Sequence, residues 1–225
     1  MDRKSWHRLE EYMLSCMSDS AHDMQHVYRV LNNAIDIAKG ESNVNMDVLT
    51  TAALLHDIGR ADEKLDPSAD HAVTGGDRAY RLLIDEGYDH AFVEHVRQCI
   101  RTHRFRRNDP PASIEAKILF DADKLDVCGA VGIARTLMYS GAHDRPIYTT
   151  RPDGSISDGT GDTEDSFFRE YRFKLEGMYD RFLTQRGAEL AKARQRAAAD
   201  FYHALLVEVR TGEGRETFEA LLTEA

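Results

Sequence analysis

The sequence predicts an all-α fold, a helical bundle that holds a metal site between its core helices. Three observations predict it. Apolar residues recur at spacings of three and four through long stretches. The 225 residues include only five prolines and no β-branched runs, and Glu, Ala, Leu, Arg and Lys are frequent. Histidines and aspartates recur on several of the predicted helices, often at their ends. One domain over residues 1–225 is expected at this length.

The first helix is predicted over residues 5–18, with Trp6, Leu9, Met13 and Cys16/Met17 on one face. The second begins near Ala21 or His22 and runs to Gly40, its stripe formed by Val27, Val30, Leu31, Ala34, Ile35 and Ala38. Asn45 or Asp47 can cap the third, Val48–Ile58. That helix is apolar nearly all round and therefore central. It delivers His56 and Asp57 from the middle of the core, where an unpaired carboxylate is costly.

Gly59–Asp70 is polar, contains Pro67 and reads as a loop. A fourth helix follows from His71 or Val73 to Glu86, and a fifth over His90–Thr102 with His103 on its inward face. Ser113 caps a sixth that carries Ile114, Ile118, Leu119, Ala122 and Leu125 with Asp121, Asp123 and Asp126. A further helical stretch reaches Ser140. Residues 141–163, rich in Gly, Asp, Ser and Thr, read as a lid or as disorder. Helices over 164–184 and 187–211 and a short piece with Phe218, Leu221 and Leu222 complete the chain.

With 42% apolar and 30% charged residues the chain is not a disordered one. Its net charge of −10 counts against general nucleic-acid or anionic-membrane binding. Cys16, Cys99 and Cys128 are scattered and odd in number, which reads as reduced thiols in a cytoplasmic protein. Met1–Trp6 lacks an apolar signal core, and no apolar run reaches membrane-spanning length.

A catalytic metal needs nitrogen and oxygen ligands on rigid elements. His26 can supply a nitrogen from the second helix, His56 and Asp57 come from the third, and Asp121 or Asp123 from the sixth. Helical phase alone does not choose between those two aspartates. Two imidazoles with two carboxylates suit Mn²⁺, Fe²⁺, Co²⁺, Ni²⁺ or Mg²⁺ better than a closed zinc site. Asp121 and Asp126 also read as capping or salt-bridging groups. Arg104, Arg106 and Arg107 read as a solvated basic loop or as phosphate ligands.

His26, then His56-Asp57, then Asp123 resembles the His…His-Asp…Asp pattern of the HD-domain superfamily of metal-dependent phosphohydrolases. The contexts His22–Val30, Ala53–Gly59 and Asp121–Asp126 carry that likeness. With Gly129–Thr136 they are similar to a bacterial single-domain subgroup of nucleotide pyrophosphohydrolases. The resemblance implies an HD-domain helical bundle and the ligand set His26, His56, Asp57 and Asp123. It favours Asp123 over Asp121, and it matches His71 and His103 to positions that bind a second metal or substrate.

The implied reaction converts a nucleoside or deoxynucleoside triphosphate to monophosphate and pyrophosphate through a metal-activated water. Mn²⁺ heads the expected ions. His22, His103 or Asp62 can assist proton transfer. Arg29, Lys64, Lys124 and His71 can engage the phosphorylated small molecule. No nucleic acid or membrane partner is expected, and a homodimer is an allowed assembly. The alternatives are an HD-type di-iron oxygenase, a phosphodiesterase or 5′-nucleotidase of the same superfamily, and a non-catalytic nucleotide-binding module.

Overall fold

A computed structural model describes residues 1–17, 24–66, 68–105 and 109–211, without the side chains of Lys64 and Thr211. The described residues are mostly helical and contain no β-strand, as expected. They fall into two compact units, Met1–Asp126 with Phe182–Leu190, and Val127–Arg181 with Ala191–Ala225. His22, Arg106, Arg107, Phe218, Leu221 and Leu222 lie outside the described residues.

The first unit contains α1 (Arg3–Cys16), α2 (Met24–Ala38), α3 (Met46–Leu55), α4 (Arg60–Leu65), α5 (His71–Asp85), α6 (His90–Thr102) and α7 (Ile114–Leu125). Helix α3 is its axis. Val48, Leu49, Ala52, Ala53, Leu54 and Leu55 are all buried, and the helix packs against α1, α2, α6 and α7. Each buried Leu or Val contributes about 1.5–3 kcal/mol relative to exposure. Asn45, not Asp47, caps α3 by accepting from the Val48 N–H. Asp70, Asp89 and Ser113 cap α5, α6 and α7 in the same way.

Two expectations for this unit need correction. Helix α3 stops at Leu55 instead of Ile58, because the Ile58 N–H turns back to the Leu55 carbonyl. Residues expected to form a loop after Gly59 instead form α4, whose residues Arg60, Ala61, Glu63, Lys64 and Leu65 are all good helix formers. The turn between these helices presses against α5. A Cβ on Gly59 would sit 2.3 Å from the His71 carbonyl oxygen and 2.6 Å from the Gly75 nitrogen. Glycine alone lets the chain behind Asp57 come this close to the helix that carries His71.

The second unit holds α8 (Gly129–Ala142), α9 (Phe167–Glu170), a π-helical turn at Tyr171–Leu175 and most of α10 (Gln185–Thr211), whose first turns belong to the first unit. Phe167, Phe168, Tyr171, Leu175 and Tyr202 form its core. The long helix expected over 164–184 is therefore broken. In the first unit, the Asp121 carboxylate takes the Leu183 and Thr184 N–H groups that a continuing helix would have used. Residues 143–166 are neither helical nor without structure. Thr150 and Ile156 pair across a tight turn, and Asp162 accepts from the Thr149 and Ser157 hydroxyls.

Candidate metal centre

Four histidines and two aspartates of the first unit meet at one point. His26 comes from the first turn of α2, and His56 and Asp57 directly follow α3. His71 opens α5, His103 follows α6, and Asp123 lies in the last turn of α7. Their ligand atoms form two groups, His26/His56/Asp123 and Asp57/His71/His103, each with its atoms within 4.8 Å of one another. The His26 Nε2 lies 3.3 Å from Asp57 Oδ2 and 3.4 Å from Asp123 Oδ1. The His56 Nε2 is 3.6 Å and 4.0 Å from the same two oxygens. On the other side of Asp57, Oδ1 lies 3.3 Å from His71 Nε2 and 3.7 Å from His103 Nε2.

Every one of these imidazoles is oriented through its Nδ1. His26 donates to Asp126 at 2.7 Å, His56 to the Ala53 carbonyl at 2.8 Å and His103 to the Ile100 carbonyl at 2.6 Å. His71 donates to Glu63, which also accepts from Arg104 at 2.9 Å. A carboxylate or carbonyl can only accept, so each Nδ1 carries the proton and each Nε2 turns a lone pair inward. This is the tautomer a metal-ligating histidine needs.

The arrangement fits a cation. His26 Nε2 and His56 Nε2 face each other at 3.3 Å, and two lone pairs at that distance repel unless a positive charge lies between them. Asp57 Oδ2, His71 Nε2 and His103 Nε2 are buried without a hydrogen-bond partner, a costly state for polar atoms. Burial pulls the His26 pKa down, but its hydrogen bond to Asp126 and the adjacent Asp57 and Asp123 carboxylates outweigh this and raise it to about 9. Burial opposes ionisation of Asp57, yet His56, Arg60, His26 and His71 hold its carboxyl well below the usual range. Asp123 is likewise held at about 2 against burial by His26, His56 and His103. Burial and the neighbouring His56 push His103 down to about 3, so it is neutral. Two ionised carboxylates and inward imidazole nitrogens are a donor set for a divalent ion.

The other expected site residues are placed differently. Asp121 is not in the cluster; both its oxygens accept from Leu183 and Thr184. Asp126 holds His26 and accepts two bonds from Arg29, at 2.6 and 3.0 Å. Asp62 is turned to Arg78 at 2.6 Å and is not brought to the cluster. Lys124 lies over the Phe120 ring, its Nζ 4.1 Å from the centroid. The Lys64 side chain and His22 are outside the described residues. Two residues that sequence reasoning missed stand beside Asp57 and His71. Arg60 donates to Asp57 Oδ1 at 3.0 Å, and Glu63 orients His71. Recognising α4 as a helix would have signalled both, because i and i+3 residues share a face.

The HD domain family model matches residues 24–128, the span that contains every one of the six clustered residues. Bacillus subtilis YpgQ is 31% identical over 208 residues, covering 90% of this chain and 92% of its own. The crystal structure of that protein in complex with ADP matches with a TM-score of 0.71 and 28% identity over 92% of this chain and 98% of the other. An HD superfamily hydrolase from an uncultured Thermotogales bacterium matches at a TM-score of 0.63 and 29% identity, over 92% and 99% of the two chains. On the strength of its full-length relatives and of the His26, His56-Asp57 and Asp123 cluster within the matched span, the chain belongs to the HD-domain family of metal-dependent phosphohydrolases.

Proposed function

We propose that the chain hydrolyses nucleoside or deoxynucleoside triphosphates to a monophosphate and pyrophosphate. In this reading one divalent ion, Mn²⁺ first among the candidates, is held by His26, His56, Asp57 and Asp123. The observation that carries it is the convergence of four inward Nε2 atoms and two ionised carboxylates on one buried point. The ion supplies Lewis acidity toward the phosphoryl oxygens and a lowered pKa for the attacking water. Arg60 donates to Oδ1 of Asp57, so Oδ2 would be the oxygen that could hold the ion. His103, neutral and fixed by Ile100, presents an acceptor nitrogen that orients the water; with a pKa near 3 it accepts a hydrogen bond rather than keeping a proton. His71, Arg29, Lys124 and Lys64 are assigned to the phosphates, and His22 to proton transfer. A nucleotide substrate is supported by the relative YpgQ, whose crystal structure is a complex with ADP.

The test is a purified-protein screen of nucleotides with several divalent ions that resolves pyrophosphate from orthophosphate. Pyrophosphate release with Mn²⁺ supports the reading. Orthophosphate alone, or no turnover, refutes it, and orthophosphate from a nucleoside monophosphate marks a 5′-nucleotidase instead. Asp57→Ala abolishes turnover, whereas a non-catalytic binding module would retain its ligand.

A second reading places two ions, with Asp57 bridging the two ligand groups. The Arg60 guanidinium already on Asp57 Oδ1 opposes a second cation there. Elemental analysis separates the readings. One ion per chain also removes the di-iron oxygenase alternative.

A further inference from the structure

The metal centre has one open side. Among its six residues only Asp123 has an appreciably exposed side chain, at 25%, while His26, His56, Asp57, His71 and His103 are at 0–1%. Whatever lies beside Asp123 therefore lines the mouth. Phe120 is three residues before Asp123 and four before Lys124, on one face of α7. The Lys124 Nζ sits over its ring. Against the edge of Phe120 stands Phe105, ring centroids 6.1 Å apart and planes at 66°.

Phe105 is unusual in two ways. Its φ is +45°, and the other described non-glycine residues with positive φ are Asn43 and Asp144, types that tolerate it. For a bulky residue that conformation costs on the order of 1–3 kcal/mol. The strain does not bury the ring, because 46% of Phe105 remains in water. The backbone is pinned there, the Phe105 N–H bonding the Thr102 carbonyl at 3.0 Å, two residues after the buried His103. Burial alone would draw an aromatic side chain inward and relax its backbone. Phe105 is thus a strained, half-exposed aromatic two residues after His103 of the cluster.

We infer that Phe105, braced by Phe120, is a stacking platform for the nucleobase of the substrate, with Lys124 facing the phosphates. The inference rests on the nucleotide reading above and adds the means of recognition. One turn of α7, about 5 Å along the axis, separates Phe120 from Asp123, a span that a ribose bridges between base and phosphate. Stacking uses the π-face that every base shares, so the platform selects for the presence of a base and discriminates weakly among bases.

The experiment compares wild type, Phe105→Ala and Phe105→Trp on nucleoside triphosphates and on inorganic tripolyphosphate, followed as substrate or competitor with the same divalent ion. Folding is checked by circular dichroism. Loss of stacking on one base predicts a 10- to 100-fold fall in kcat/KM of Phe105→Ala for nucleotides relative to its handling of tripolyphosphate, on the order of the known range for base–aromatic stacking. The fall is expected mainly in KM, and Phe105→Trp restores it. A nucleotide-to-tripolyphosphate ratio within twofold of wild type, or no recovery in Phe105→Trp, overturns the platform and leaves the nucleotide reading standing. Failure of the wild type to bind or turn over any nucleotide overturns both.

Discussion

Gly59→Ala tests whether the centre depends on the close approach of the turn after Asp57 to helix α5. The φ of Gly59 is −88°, which any residue adopts, so the requirement is space and not conformation. The added Cβ would meet the His71 oxygen at 2.3 Å, the Gly75 nitrogen at 2.6 Å and the Gly75 Cα at 3.0 Å. All three are backbone atoms, and no side chain can rotate away. Restoring ordinary contact moves the first turn of α5 by about 1 Å. Overpacking of this kind costs typically 1–3 kcal/mol, and rigid obstruction places Gly59→Ala at about 3 kcal/mol. For a chain of this length that is a fall of about 6–12 °C in Tm. The same shift carries His71 away from Asp57 Oδ1, now 3.3 Å from its Nε2.

Two companions calibrate the result. At Gly75 the nearest atoms to an added Cβ are at 3.2 and 3.5 Å, so Gly75→Ala is close to neutral once its gain in helix propensity is counted. At Gly141 in α8 nothing lies within 4 Å, and Gly141→Ala stabilises by about 0.5–1 kcal/mol. Urea unfolding followed by far-ultraviolet circular dichroism gives all three midpoints. A Gly59→Ala protein within 0.5 kcal/mol of wild type, or no more affected than Gly75→Ala, refutes the steric account.

Further outcomes follow from the same geometry. Glu63 is held at about 2 by its hydrogen bonds to His71 and Arg104, against the opposing effect of burial. Its folded pKa is depressed, so its contribution to stability is present above its ordinary value of 4.5 and is lost as pH falls toward about 2. The stability gap between wild type and Glu63→Gln, on the order of 1 kcal/mol for a partly exposed pair, should therefore close across that window in acid titrations of urea midpoints. A gap independent of pH would contradict the pairing. Chelation of the divalent ion should lower thermal stability as well as activity. A ligand at a hundred times its Kd stabilises by about 2.7 kcal/mol, or about 5–10 °C here, and equal melting with and without chelator would argue against a bound ion. Burial pushes the Cys99 thiol up to about 12, so it stays protonated and unreactive at pH 8. With Cys128 also buried, a thiol reagent should modify Cys16 alone in the native protein and all three on unfolding.

The sequence by itself determined the all-α class, the central position of α3 and the cap at Ser113. These follow from local periodicity and from a side chain bonding to backbone three residues away, so no long-range information is needed. It also named His26, His56, Asp57 and Asp123, because the family's motif is a set of short contexts. Tertiary structure decided the rest. Asp121 and Asp123 are two residues apart on one helix, and only packing sends one to Leu183 and Thr184 and the other to the cluster. Helix α4 was hidden by its polar residues and flanking Gly59 and Pro67, and with it went Arg60 and Glu63. The four Nδ1 partners, Asp126, Ala53, Glu63 and Ile100, set which nitrogen of each histidine faces inward. Two of them are carboxylates separated from their histidines by 100 and 8 residues. Such pairings are fixed by where helices pack, and no periodicity in the chain encodes them.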